Sequence, residues 1–250
     1  MAAWNAHRFY FEPEQVSGGR VRLSEEEAHH ALQVLRLRAG DRIILLDGRR
    51  GVYEAVIEKA DRGARTLVAA LGQRLPDCEA QTRVTLFQGI PKSGKLEWIV
   101  QKCTELGVDA IQPVRMKRCV AEQERNPEKN LARLQRVARE AAKQCCRGEV
   151  PRIYAAEPLA ALEERLRGFD CLLVPWEEAE GCVRIADALA GKAARTIGVV
   201  IGPEGGMTAE EAQGLSALGG RLVTLGPRIL RTETAGMAAL ASIFTVTGDF

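Results

Sequence analysis

Histidine is scarce in this 250-residue chain: there are three, and His7, His29 and His30 all fall within the first thirty positions. The rest of the chain has no imidazole to offer a metal site or a serine or cysteine triad, so histidine-based hydrolysis confined to it is excluded. The seven cysteines form an odd set without a C-x-x-C pair. That spacing reads as neither a disulfide framework nor a zinc ribbon, and reduced thiols are the expectation. No uninterrupted apolar run reaches the roughly eighteen residues that a membrane-spanning helix needs. The opening MAAWNAHRFYFEPEQ also lacks the charged, apolar and small succession of a secretory leader, so a cytoplasmic protein away from membranes is expected. With 46% apolar and 27% charged residues, wholesale disorder is excluded, and the length suits one large domain or two modest ones.

A formal charge of +2 hides an uneven distribution. From Arg83 to Arg152 there are 15 Lys or Arg against 8 Asp or Glu, whereas from Ile153 to Phe250 the count is 8 against 13. Local surplus matters more to a polyanion than the total, so the basic stretch is a candidate phosphate surface. Arg115, Lys117, Arg118, Arg125, Lys129, Arg133, Arg136, Arg139, Lys143 and Arg147 crowd within it. From Lys129 to Lys143 they recur every three or four positions and would share one helix face. A solvated helix surface explains any single member equally well.

The first seventy or so residues read as short strands around one helix. Ser24-Glu-Glu-Glu27 fits a capping box, in which Ser24 caps the Glu27 N–H and the Glu27 carboxylate reaches back. The helix it opens should run to about Leu35. Strands are expected at 8–11, 21–23, 42–47, 52–57 and 66–71, giving a small, mostly β, barrel-like module over 1–72. Residues 73–81 read as a linker, and 82–250 as an α/β domain in which strands and helices alternate around a mainly parallel sheet.

Two loops carry the chemistry. Gly202-Pro-Glu-Gly-Gly206 follows the apolar strand Thr196–Ile201, and Thr208-Ala-Glu-Glu211 then offers a second capping box. One strand later, Leu225-Gly-Pro-Arg-Ile-Leu-Arg-Thr-Glu-Thr-Ala235 repeats the order of strand, Gly-Pro turn and helix start, now with two arginines and a glutamate. Open α/β sheets bind ligands at the carboxyl ends of their strands, where glycine lets main chain come close. Together the two loops are expected to line one pocket. A third stretch, Gly89-Ile-Pro-Lys-Ser-Gly94-Lys95, imitates a phosphate-binding P-loop, but Leu96 stands where such a loop needs a hydroxyl for magnesium. An NTPase is therefore disfavoured, and Lys92 and Lys95 face an anionic partner or solvent.

These loops, with HRFYF at 7–11, HHALQVLRLRAGD at 29–41 and KLEWIVQKCTELGVDAIQP at 95–113, resemble the SPOUT-class methyltransferases, specifically bacterial enzymes that methylate N3 of a uridine in small-subunit ribosomal RNA. The resemblance runs the full length. It implies an N-terminal PUA-like RNA-binding β-barrel, a C-terminal α/β domain with a deep trefoil knot, S-adenosyl-L-methionine in that knot, and a homodimer. No metal is implied. In AAKQCCRGEVP at 141–151, Gln144 and Arg147 match the family, while Lys143 and Cys146 replace its frequent Glu and Gly.

By this resemblance Gly202, Pro203, Glu204, Gly205, Leu225, Gly226, Ile229, Leu230, Thr234 and Ala235 are the expected cofactor contacts. Arg231, Arg228 and Glu233 are the expected catalytic residues, with Arg231, then Arg228, stabilising charge on the uridine carbonyls; a salt bridge from either arginine to Glu233 or Glu204 is the competing reading. Arg8, Arg22, Arg36 and Arg38, with Lys92 and Lys95, are the expected RNA contacts. His29 and His30 are read as packing on the barrel. Free small-subunit RNA and the assembled subunit are both open as substrates, and a noncatalytic ribosome-assembly factor of the same fold is the alternative function.

Overall fold

The computed structural model describes residues 6–92, 94–120, 126–176 and 181–250. Arg125 of the basic run and Ser93 of the P-loop-like stretch lie outside the described residues. The chain divides into two compact units, one formed by residues up to Glu79 together with Ala142–Val150, the other by Ala80–Ala141 and Pro151–Phe250.

In the first unit β1 (Arg8–Tyr10), β2 (Val16–Ser17), β3 (Arg20–Arg22), the helix α1 (Glu25–His29), β4 (Arg42–Leu46), β5 (Val52–Asp61) and β6 (Thr66–Leu75) follow in turn. The six strands form one sheet in the order β1-β4-β5-β6-β3-β2, antiparallel except where β1 meets β4. Alternation explains the buried face. Leu67 and Ala69 on β6, Ile43 and Leu45 on β4, and Ala55 and Ile57 on β5 point to the same side and close on Phe9, Ala28 and Leu32. Each large apolar side chain buried there contributes about 1.5–3 kcal/mol. β5 and β6 run on beyond the expected ends at residues 57 and 71, because their pairing continues from Lys59 to Asp61 and from Tyr53 to Arg74.

The expected helix over 24–35 changes character midway. Its first turn is α, and His30–Val34 continue as a π-turn in which the Leu35 N–H bonds the His30 carbonyl at 3.0 Å. Arg36, at φ 58°, then leaves the helix through the left-handed region. Ser24 Oγ accepts the Glu27 N–H at 3.3 Å, but the Glu27 carboxylate turns to the Lys143 ammonium at 2.7 Å instead of reaching back. An ion partner in a buried place outweighs a second cap bond.

The second unit contains β7 (Arg83–Gly89), α2 (Lys95–Glu105), β8 (Ala110–Arg115), α3 (Pro127–Gln144), β9 (Arg152–Ile153), β10 (Glu157–Pro158), α4 (Glu163–Arg167), β11 (Cys171–Pro175), β12 (Val183–Arg184), α5 (Ile185–Leu189), β13 (Thr196–Ile201), α6 (Ala209–Ala217), β14 (Arg221–Thr224) and α7 (Thr232–Thr247). Its sheet is wholly parallel in the order β10-β8-β7-β13-β11-β14-β12, with β9 also on β8. β7 and β13 are buried along nearly their whole length because they lie at the centre of the sheet. β11 stands between β13 and β14, so the two Gly-Pro loops leave strands that are not sheet neighbours. The two-residue strands β10 and β12 were too short to show a period.

The end of α3 belongs to the first unit. There the Arg147 N–H bonds the Ala142 carbonyl at 2.9 Å and the Cys146 N–H bonds the Lys143 carbonyl at 3.4 Å, a Schellman cap with Cys146 at φ 72°. Lys143 and Arg147, expected in an exposed basic stripe, are not part of one. Lys143 holds Glu27, and Arg147, 6% exposed at its side chain, holds Glu79 at 2.8 Å. Along the same helix Arg133 pairs with Glu97. The left-handed cap also explains why glycine suits position 146. A left-handed L-residue costs about 1–2 kcal/mol, partly offset by the about 0.5–1 kcal/mol of unfolded-state freedom that glycine adds. Cys146→Gly is therefore expected to stabilise by about 0.5–1 kcal/mol and raise the thermal midpoint by about 1–4 °C; a lowered midpoint in a melting experiment contradicts this.

Candidate active site

A cavity of about 580 Å³ opens where β11, β13 and β14 end. Gly202, Pro203 and Glu204 line it from the first loop, and Leu225, Gly226, Arg228, Ile229 and Leu230 from the second. Pro175 and Trp176, at the end of β11, fill the place between them, with Met207, Thr232 and Ala235 completing the wall. The pocket expected from sequence thus forms around three strand ends. Of the expected cofactor contacts, Gly205 and Thr234 lie off this lining. A Cβ on Gly205 would stand 3.0 Å from Arg118 Cβ, so that glycine makes room for Arg118.

Tight main-chain packing holds the first loop. A Cβ on Gly89 would fall 2.5 Å from the Pro203 nitrogen and 2.8 Å from the Gly202 carbonyl carbon, so β7 touches the turn backbone to backbone. Thr232 Oγ1 donates to the Gly202 carbonyl at 2.6 Å, and Gln88 Nε2 donates to Thr232 Oγ1 at 2.8 Å. Gly206 N–H closes the turn on the Pro203 carbonyl at 2.9 Å, and Arg118 donates to the Gly205 and Met207 carbonyls at 3.0 and 3.3 Å. Thr208 and Glu211 form the full capping box that starts α6. The carbonyls of Gly202, Pro203, Gly205 and Met207 are thereby all engaged. In the second loop the Gly226 N–H bonds Thr224 Oγ1 at 3.1 Å, and the N–H groups of Ile229 and Leu230 bond no described residue. Free main-chain donors beside apolar side chains suit a heteroaromatic ligand.

Charge at the rim is ordered by Lys95. Its ammonium lies 3.0 Å from Glu204 and 3.4 Å from Glu233, and the Lys92 N–H adds a bond of 3.0 Å to Glu204. Burial opposes ionisation of Glu204, but bonds from its own N–H, from Lys95 and from Lys92 outweigh it and hold the carboxyl below its ordinary value. The link is therefore complete above the ordinary glutamate pKa and is lost only as pH falls through the lower folded value. Ligand affinity at the cavity should stay level from pH 7 down to about 5; a decline over that interval, followed by calorimetry, contradicts the assignment.

The groups that a P-loop would turn to phosphate hold a carboxylate here. Equally, both carboxylates that might have paired with Arg228 or Arg231 are taken by Lys95. The exposed side chains of Arg228 and Arg231 make no ion pair or hydrogen bond among the described residues, and Arg231 is the residue that precedes α7. Arg231 and Glu233 stand beside the cavity lining, not in it.

The expected RNA contacts divide between the units. Arg22, Arg36 and Arg38 are exposed on the first, and Arg8 there donates to the Ala6 carbonyl at 2.9 Å. Lys92 is exposed on the second, whereas the Lys95 ammonium is committed to the carboxylates. His30 stacks edge-on against Phe9 with ring centroids 6.2 Å apart, a packing role. No group of three or more His, Cys, Asp or Glu among the described residues is placed to hold a metal, and none of their helices is long and apolar enough to cross a membrane. The sequence marks neither Gln88 nor Trp176 and gives Thr232 no role, and Arg118, expected on the basic phosphate surface, holds the first loop instead. Of the first three, Thr232 alone carries a signal, its place at the start of α7 inside the second loop.

Residues 78–244 match the RNA methyltransferase domain family, and residues 23–68 match the RNA methyltransferase PUA domain. Ribosomal RNA small subunit methyltransferase E of Bacillus subtilis is 35% identical over 228 residues, covering 88% of each chain. Its namesake from Mycobacterium tuberculosis is 33% identical, covering 96% of this chain and 91% of that one. Among solved structures, ribosomal RNA small subunit methyltransferase E from Neisseria gonorrhoeae bound to S-adenosyl methionine superposes with a TM-score of 0.84 at 32% identity, over 96% of this chain and 98% of that one. A Legionella pneumophila methyltransferase in complex with the cofactor SAM gives 0.85 at 27% identity, over 96% and 98%. With its fold, its two Gly-Pro loops and these relatives in agreement, the chain belongs to the ribosomal RNA small subunit methyltransferase E family, with an RNA methyltransferase domain and an N-terminal PUA domain.

Proposed function

We propose that this chain transfers the methyl group of S-adenosylmethionine to N3 of a uridine in 16S ribosomal RNA. The observation that carries the reading is the cavity between the two Gly-Pro loops, flanked by arginines whose expected carboxylate partners are held elsewhere. The relatives crystallised with S-adenosylmethionine support it.

The cavity fits the group. Gly202, Pro203, Glu204, Leu225, Gly226, Ile229, Leu230 and Ala235 supply main chain and apolar surface for a nucleoside, and Gly205 leaves room for Arg118 beside the first loop. When bound, S-adenosylmethionine supplies an electrophilic methyl group on a sulfonium. The protein's work is placement and charge stabilisation. Uridine N3 becomes nucleophilic when its proton leaves, and negative charge then spreads onto the flanking carbonyl oxygens. We assign Arg231 to that charge, with Arg228 assisting. Glu233, held by Lys95, keeps its carboxylate off both guanidiniums.

RNA backbone contact is assigned to Arg8, Arg22, Arg36, Arg38 and Lys92, and Lys95 to the carboxylates. We read the six-stranded sheet as a barrel, the domain over 82–250 as carrying a deep trefoil knot, the active form as a homodimer and its place of work as the cytoplasm, as the family resemblance implies. The test is methyl incorporation from labelled S-adenosylmethionine into 16S RNA, offered free and in small subunits, followed by mass mapping. One methylated uridine is expected; binding of S-adenosylmethionine with no incorporation into either form favours a noncatalytic assembly factor.

A further inference from the structure

We propose that Gln88 and Thr232 are positioning residues that set the main chain of the first loop for the methyl donor; this rests on the methyl-transfer reading above. Thr232 has one hydroxyl proton. Gln88 Nε2 donates into the Thr232 oxygen at 2.8 Å, so that proton is directed to the Gly202 carbonyl, 2.6 Å away. The orientation of the amide is fixed by the same logic, since Nε2 also donates to the Gly89 carbonyl at 3.1 Å. Turned over, the amide would set oxygen against the Gly89 carbonyl and draw the Thr232 proton away from Gly202. One directional chain therefore ties the end of β7, the start of α7 and the first residue of the cofactor loop.

This arrangement has a cost that packing alone does not require. Gln88 is fully buried, and its Oε1 has no hydrogen-bond partner among the described residues. Even the space for that oxygen is specific, because a Cβ on Gly236 would come within 3.3 Å of it. An apolar residue of similar volume would fill the position without a bare buried acceptor, so the amide is explained by its two donated bonds. Gly89 packs against the backbone of the same turn.

Thr232→Val keeps the shape and removes the hydroxyl, while Thr232→Ser keeps the hydroxyl. Calorimetric titration with S-adenosylmethionine should show affinity about tenfold weaker for the valine variant and within about threefold of wild type for serine. Amide hydrogen exchange across residues 202–207, measured without the nucleoside, should quicken in the valine variant alone. Should that variant fail to fold, Gln88→Met, which keeps the volume but frees the Thr232 hydroxyl to rotate, should give the same two changes to a smaller degree. Unchanged affinity and exchange, or serine behaving as valine does, overturns the positioning role. Wild-type protein that does not bind S-adenosylmethionine overturns the methyl-transfer reading instead, whatever the exchange data show.

Discussion

Replacing Arg231 by alanine is expected to lower methyl transfer by about 10²–10³-fold while leaving the dissociation constant for S-adenosylmethionine within about threefold. Arg231 lies beside the cavity lining and bonds no described side chain, so its loss removes nothing that holds the loops together. In the proposed reaction, what it removes is the positive charge assigned to the negative charge that gathers on the deprotonated base. The effect should therefore fall on the chemical step, in kcat, and not on nucleoside binding. Single-turnover incorporation into 16S RNA separates the two. Arg231→Lys should recover part of the rate, since an ammonium keeps the charge but not the fork of donors. Turnover near wild type in the alanine variant contradicts the assignment.

Gly89→Ala is expected to act through geometry instead of charge. The added methyl would lie 2.5 Å from the Pro203 nitrogen and 2.8 Å from both the Gly202 carbonyl carbon and Pro203 Cδ. None of these is the end of a flexible side chain, so either β7 or the turn must move. Overpacking of this kind costs about 1–3 kcal/mol, which lowers the thermal midpoint by about 2–12 °C in a chain of this length. Because the displaced atoms belong to the cofactor loop, affinity for S-adenosylmethionine should fall by about 10–100-fold. Gly226 is a contrasting case: no atom lies within 4 Å of a Cβ there, but φ is 106°, so a side chain would strain the backbone and enter free space. Wild-type affinity and midpoint in Gly89→Ala would show that the turn does not depend on this contact.

The features legible in the sequence are those that local pattern determines. β13 and the Gly202–Gly206 turn announce themselves because this buried central strand is an apolar run and the turn after it is rich in glycine. The Thr208–Glu211 capping box lies within four residues and forms as read. Its counterpart at Ser24 does not form in full, because Lys143 competes for Glu27 from a distant part of the chain. Distance in sequence explains the other omissions too. Gln88 and Thr232 are separated by 144 positions and Lys95 and Glu204 by 109, and no spacing rule links residues so far apart. For the same reason the basic run misled: its period placed Lys143 on the helix surface, whereas burial of that helix end gave it a carboxylate partner. The insertion of β11 between β13 and β14 was invisible as well, since strand order is a property of the sheet.

Crystals of the chain soaked with S-adenosylmethionine test directly whether the two backbone bends enclose a single sulfonium nucleoside. The nucleoside is expected between Gly202–Glu204 and Leu225–Leu230, bonded to main-chain N–H groups of the second loop. Density for it elsewhere, or none at saturating concentration, contradicts the account.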